Sequence, residues 1–263
     1  MSKRICVFVD GENFRHSIVG LFEHFNKNDY LPKKADWAKL FDHFIECTDL
    51  SEPERIRTSW YVIKYLDFYP YKIPSLDTEF DKARRLLEKG KWAKDRIANA
   101  GAGGAKSEME RIVKELDGRR DQMQRRFDGW RNLQENIAMR WPRIEFRQAG
   151  AITFDLFTGR LQKEKAVDVK LATDLIMLRD IYDVAVIVSG DQDYVPAVQA
   201  VKDFGKIVIN VAFAARSGKL LPGGARRLNH VTDNSITAHY DKLGPLLGIT
   251  TGPTEKETPE RPC

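Results

Sequence analysis

Two periods of apolar residues alternate along this chain, and they divide it into strands and helices. Arg4–Val9 (R-I-C-V-F-V) is an unbroken apolar run that stops at D-G-E-N, Asp10–Asn13, as a buried strand does on entering a loop. Phe14, Ile18, Leu21, Phe22 and Phe25 then recur at helical spacing, predicting a helix over Phe14–Phe25. Trp37–Ile45 repeats that spacing, with Asp36 placed to cap it. Thr58–Leu66 predicts a second buried strand. Much later come strands at Arg143–Arg147 and Asp183–Val188, a strand or hairpin at Ala151–Leu161, and a strand at Lys206–Val211. Helices are predicted between them at Val167–Ile181 and Asp193–Phe204. Strands that alternate with helices pair in parallel, so the expected fold is α/β, a three-layer sandwich around a mainly parallel sheet. Such sheets bind ligands beyond the carboxyl ends of their strands, where D-G-E-N and S-G-D-Q-D (Ser189–Asp193) both fall.

Between these two groups of elements the pattern changes. Asp77 to Arg140 is highly charged and helical in period, interrupted at A-G-A-G-G-A (Ala100–Ala105). Beyond the glycines Met109, Leu116, Met123, Trp130 and Ile137 recur every seven residues, the stripe of a long helix. The segment 77–140 is expected to be a helical-hairpin insertion into a domain that otherwise spans 1–240. Residues 249–263 are polar and proline-rich, and are expected to be a disordered tail.

Composition narrows the class. Of 263 residues, 42% are hydrophobic and 31% charged, as in soluble globular proteins, and no run is long and apolar enough to span a bilayer. No cleavable leader is legible at the N-terminus, and Cys6, Cys47 and Cys263 make neither a disulfide framework nor a zinc pattern, so a cytoplasmic location is expected. The net charge of +5 permits a polyanionic partner. Its placement says more, because Asp81–Arg96 holds seven basic residues (Lys82, Arg84, Arg85, Lys89, Lys91, Lys94, Arg96) against three acidic ones. With Trp92 among them, that face suits phosphate contact and base stacking, or it simply solvates a helix.

The acidic residues are the candidate chemistry. Asp10 closes the first strand, Asp168 opens a helix in K-A-V-D-V-K-L-A-T-D with Asp174 further along it, and Asp191 and Asp193 follow the strand that ends at Val188. Several carboxylates at one sheet edge repel one another unless a cation joins them. A hard divalent ion such as Mg²⁺ or Mn²⁺ takes carboxylate oxygen readily. Plainer readings stand beside this one: Asp168 and Asp193 as helix caps, Asp174 as a solvated partner of Lys170 four residues back. Asp10 is less easily read as a cap, since no strong helix signal follows at once. The five histidines lie away from these motifs. No P-loop pattern is present, and where a haloacid-dehalogenase phosphatase has its second acid two residues after the first, D-G-E has Glu12 without the following Thr.

V-F-V-D-G-E-N-F, A-V-D-V-K-L-A-T-D-L and V-I-V-S-G-D-Q-D-Y-V-P-A-V, in that order, resemble the LabA-like branch of the NYN domain family in the PIN-like nuclease superfamily. The resemblance covers about residues 3–69 and 143–240, and it takes Arg226–Asp233 as the family's last basic stretch before a short helix. It implies a Rossmann-like PIN fold and metal-dependent cleavage of RNA, single-stranded RNA being the favoured partner. It also implies Asp10, Asp168 and Asp191 as ligands of Mg²⁺ or Mn²⁺, with Asp193 completing the catalytic cluster and Asp174 supporting it. Asn13, Ser189, Arg226 and Arg227 would hold the loop or contact substrate. The insertion lies outside the compact family domain and could serve a second copy or a protein partner. A module that binds RNA or protein without cutting is the alternative.

Overall fold

A computed structural model describes residues 2–22, 25, 29–221 and 225–249 of the chain. In chain order the elements are β1 (Lys3–Asp10), α1 (Gly11–Leu21), α2 (Trp37–Glu46), β2 (Pro53–Tyr69), α3 (Phe80–Leu87), α4 (Lys91–Asn99), α5 (Gly101–Arg140), β3 (Ile144–Asp155) and β4 (Arg160–Leu161). Then follow α6 (Val167–Met177), β5 (Val184–Val188), α7 (Val195–Asp203), β6 (Ile207–Ala214), β7 (Leu220–Leu221), α8 (Ala225–Val231), β8 (Asn234–His239) and α9 (Tyr240–Leu247). The strands form one sheet in the order β4-β3-β2-β1-β5-β6-β7, with β8 also paired to β6. β1 runs parallel to both β2 and β5, and β6 parallel to β5 and β8, while the two-residue strands β4 and β7 are antiparallel. This is the expected mainly parallel α/β fold.

The chain forms two compact units. The first comprises residues Met1–Val62, Leu133–Ala149 and Ala166–Cys263. Its sheet is buried through every residue of β5 and through Ile5–Asp10 of β1, which explains their continuous apolar runs. Two helix groups lie on it: α1 with α2 and α9, and α6 with α7 and α8. Under the first group an aromatic cluster fills the core. The Trp60 ring of β2 meets Trp37 at 5.0 Å, Phe14 at 5.5 Å and Phe41 at 5.6 Å, all edge to face. Gly11 follows Asp10 for a steric reason. A Cβ there would run into the backbone oxygen of Tyr61 and stand 3.2 Å from the Trp60 indole nitrogen.

The second unit, Ile63–Asn132 with Gly150–Lys165, holds the highly charged segment as far as Asn132, its last residues, 133–140, belonging to the first unit. Met109 and Leu116 of the heptad stripe are fully buried and Met123 nearly so, with Ile112 and Phe127 buried beside them. Two short helices, α3 and α4, precede the long one, rather than the single helix expected. The break falls at Gly101, whose φ of 63° only glycine adopts freely, and the remaining glycines join α5. Trp92 is structural. Its indole N–H donates to the Phe157 carbonyl at 2.8 Å, and the guanidinium groups of Arg119 and Arg96 lie over its ring. Arg96 itself pairs with Glu108 and Glu115, Arg84 with Glu88, and Lys82 with Glu79. Three of the seven basic residues of that face are thus paired within the unit.

Other expectations shift at their edges. The first helix stops at Leu21 rather than Phe25, and the two strand segments after Arg143 are one strand, β3, followed by the β4 hairpin. Asp233 is followed by a strand, β8, rather than a short helix. Its carboxylate accepts from the Val208 N–H and pairs with Lys202, which starts β8 beside β6. Among the described residues no helix is long and apolar enough to cross a membrane. Residues 250–263 of the expected tail, and His24, lie outside the described residues.

Two glycine substitutions separate close approach from helix propensity. Gly11→Ala should lower unfolding free energy by about 1–3 kcal/mol through overpacking. Gly118→Ala, whose Cβ would meet nothing within 4 Å in the middle of α5, should raise it by up to about 1 kcal/mol. Urea titration of the two variants checks the opposed signs.

Candidate functional site

The site is set by strand register. Val9 of β1 lies opposite Val188 of β5, so the next residues, Asp10 and Ser189, leave the sheet side by side. β1 and β2 lie on one side of this point and β5 and β6 on the other, which makes it the place where strand order reverses and such sheets open a crevice. Ser189 Oγ donates to Asp10 Oδ2 at 3.0 Å and accepts from the Asp191 N–H at 3.1 Å. Asn13 closes the same junction from α1, its side-chain oxygen accepting from the Gly190 N–H at 3.1 Å. Asn13 and Ser189 therefore lock the two loops together.

Asp10 is the N-cap of α1, accepting from the Asn13 N–H at 3.1 Å. α1 begins at Gly11, inside D-G-E-N and three residues ahead of the helix expected from Phe14, because the short polar residues of the motif form its first turn, which makes Asp10 a cap after all. The Asp10 carboxylate is 3% exposed and receives three neutral donors: the Asn13 N–H, Ser189 and the Tyr194 hydroxyl at 3.0 Å. Burial pushes its pKa up to about 6. The bonds from Asn13, Ser189 and Tyr194 oppose that shift, and the nearby charge of Asp168 reinforces it. No Lys or Arg pairs with it among the described residues.

Asp168, Asp191 and Asp193 come together, each offering a carboxylate oxygen within 4.8 Å of the others. Asp191 caps a short 3-10 turn, Gln192–Tyr194, by accepting from the Asp193 N–H at 3.0 Å, so Asp191 is the capping residue here and Asp193 is not. Asp168 lies in the first turn of α6 behind Ala166, whose φ of 75° turns the chain into the helix. It is not a cap either. Asp168 and Asp191 are half-buried and Asp193 is exposed. An all-carboxylate set facing solvent suits Mg²⁺ or Mn²⁺ and lacks the nitrogen and sulfur that zinc prefers.

Tyr194 was not singled out from the sequence. Its ring is fully buried, and its hydroxyl lies 3.0 Å from Asp10 Oδ2 and 3.3 Å from Asp168 Oδ1, joining the buried carboxylate to the open cluster. Burial, then the charges of Asp10 and Asp168, push its pKa far above the ordinary tyrosine range, so it stays a neutral donor. A large apolar ring with a polar tip, placed directly after S-G-D-Q-D, was the available signal.

Asp174 is 5% exposed and so not a solvated partner of Lys170, though it does pair with it at 2.8 Å. On its other oxygen it meets Arg147 at 2.6 Å and accepts from the Tyr61 hydroxyl at 3.1 Å. Burial would raise its pKa, but the bonds with Lys170 and Arg147 outweigh it and hold the carboxyl low. Tyr61 lies opposite Asp10 in the β1–β2 register, so this buried ion cluster adjoins the site from β2 and β3. Arg227 of α8 donates to the Gln192 side chain and thereby reaches the acidic loop, and both it and Arg226 beside it are exposed.

A crystal structure of a protein of unknown function from Vibrio parahaemolyticus is similar to this one, at 14% identity over 89% of this chain and 92% of that one, with a TM-score of 0.40. No curated protein matches the chain. The sequence profile of the NYN domain matches residues 97–233, more than half of the chain. That span contains Asp168, Asp174, Asp191, Asp193 and Tyr194 and stops at the aspartate that opens β8. The chain belongs to the NYN domain family, within the PIN-like nuclease superfamily.

Proposed function

We propose that this protein is a divalent-metal-dependent ribonuclease that cleaves single-stranded RNA internally at the Asp168–Asp191–Asp193 cluster. The observation that carries this reading is the convergence of those three carboxylates at the carboxyl end of β5, beside a buried carboxylate that only neutral donors meet. Asp168 and Asp191 would hold the ion, with Asp10 as the third ligand and Asp193 completing the set at the solvent side. Bound there, Mg²⁺ or Mn²⁺ would supply activation of a water and neutralisation of charge on the scissile phosphate. The chain's own residues fix the geometry. Ser189 and Asn13 hold the β5 loop against β1, and Tyr194 keeps one hydroxyl proton between Asp10 and Asp168. Arg227, steadied by Gln192 at the loop, is placed to meet an entering phosphate, and Arg226 extends that positive edge. A cytoplasmic location agrees with this chemistry, since RNA and millimolar Mg²⁺ occur together there.

Labelled single-stranded RNA should be degraded with Mg²⁺ or Mn²⁺ and left intact in EDTA. Asp168→Asn and Asp191→Asn should each lose at least about a hundredfold in rate while keeping the native circular dichroism spectrum. Near wild-type cleavage by either variant, or full activity in EDTA, would sink the reading.

Tyr194→Phe tests the bridge between the carboxylates. Second-sphere donors of this kind typically contribute tenfold to a hundredfold to metal affinity, and a loss of that size is expected for Mn²⁺ by calorimetry. Unchanged affinity would leave Tyr194 as packing alone.

The raised pKa of Asp10 makes a separate statement about stability. Its folded value, about 6, lies above its ordinary 3.8, so the carboxyl stabilises the fold fully below about pH 4 and loses that contribution as pH rises through 6. In EDTA the unfolding free energy should therefore fall by a few kcal/mol, at most about 3, between pH 4 and pH 7. Asp10→Asn should abolish that part of the slope and be the more stable protein at pH 7. An identical pH profile in the two proteins would show that Asp10 is ionised throughout.

A further inference from the structure

We propose that the second unit carries a surface of its own for single-stranded RNA, in which Tyr69 and Tyr71 stack on bases and Lys89 and Lys91 contact phosphates. RNA is named because of the ribonuclease reading; the surface itself rests on other observations. The charge of the chain is unevenly divided. Residues 63–132 and 150–165 hold twenty Lys and Arg against fourteen Asp and Glu, a net +6, which leaves the remainder of the chain at −1. Internal ion pairs absorb Lys82, Arg84, Arg96, Lys106, Arg111 and Arg120. Lys89, in the turn between α3 and α4, and Lys91, the first residue of α4, are exposed and form no ion pair among the described residues. Charge left over after the unit has neutralised what its own fold requires is charge available to a polyanion.

The turn that carries the lysines and the ring of Tyr69 meet at Phe157. Gly90, between the two lysines, sits against Phe157 so closely that a Cβ would stand 2.5 Å from the ring. The turn therefore rests directly on Phe157. Tyr69 approaches the same ring, edge to face with centroids 6.4 Å apart, and is itself 39% exposed. Tyr71, two residues further on, is 86% exposed, and the Arg120 guanidinium holds its carbonyl oxygen at 3.2 Å. Its ring is thus presented to solvent from an anchored backbone. Anchored aromatic faces beside unpaired ammonium groups are the components of single-strand recognition, since unpaired bases offer π-faces that a duplex conceals. Trp92, which the sequence offers for stacking, is occupied by its bond to Phe157 and by two arginines.

The test uses the full-length chain carrying Asp191→Asn, so that binding is read without cleavage, and fluorescence anisotropy with a labelled oligouridine. Tyr69→Ser and Tyr71→Ser should each weaken binding at least about fivefold, and the Tyr→Phe versions should retain it. Lys89→Ala with Lys91→Ala should also weaken binding and reduce the slope of log K against log salt by about 1.4, two single-strand phosphate contacts. Lys82→Ala with Arg84→Ala, in the paired set, should change neither. All variants are compared at equal melting temperature. Wild-type affinity and salt slope in the combined Tyr→Ser, Lys→Ala variant would overturn the proposal, as a protein-docking face would predict, and so would failure of the parent to bind RNA. Binding that depends on these four residues in a chain that never cleaves RNA would uphold the surface and reject the ribonuclease reading.

Discussion

The parallel pairing of β1 with β5 is the constraint on which the site depends. Ile5–Val9 and Val184–Val188 lie in unbroken register, every one of these side chains at most 1% exposed, so neither strand can slip without exposing the core. Because both runs end at the same level, Asp10 and Ser189 emerge together, although 178 residues separate them in sequence. The hydroxyl, amide and carboxylate contacts of the site follow from that coincidence. Apolar burial thus fixes the positions of charges, and the charges in turn sit where the low-dielectric sheet interior gives way to water.

Two buried aspartates near this junction show how differently one residue type can be used. Asp174 is met by Arg147, Lys170 and the Tyr61 hydroxyl, so its charge is balanced inside the protein and it fastens α6 to β2 and β3. Asp10 is met only by neutral donors, and its carboxyl is left with a raised affinity for a proton. A buried anion balanced from within is architecture. One left short of positive charge holds its proton more tightly.

Much of this was legible in the sequence because strands buried on both faces write themselves as continuous β-branched runs, and their ends locate the loops. Asp10, Asp191 and Asp193 could be placed at one sheet edge from the strand ends, and Asp168 added from its place at the start of a predicted helix. What could not be read were contacts between residues distant in sequence. Tyr194 looks like core filler until Asp10 and Asp168 are placed beside its hydroxyl, and Arg147 looks like a strand residue until Asp174 is found opposite it. Capping was misassigned for a local reason, since Asp191 and Asp193 are equivalent in a string and only the 3-10 turn shows which of them faces an N–H. In the charged segment composition could count the lysines and arginines but not which of them had acidic partners.

The position of β5 in the sheet also bears on how the protein is made. β5 lies between β1 and β6, yet it is synthesised after β1, β2, β3 and the whole of the second unit. Until about residue 190 has left the ribosome, β1 has a partner on one side only and presents an apolar edge, Ile5 to Val9, to whatever strand is nearby. Contacts of such long sequence separation form late. The acidic cluster cannot exist before then, because two of its three carboxylates follow β5. The nascent chain therefore passes through a stage with an exposed apolar strand edge before the acidic cluster has formed, and a chain released early would carry that edge without the cluster.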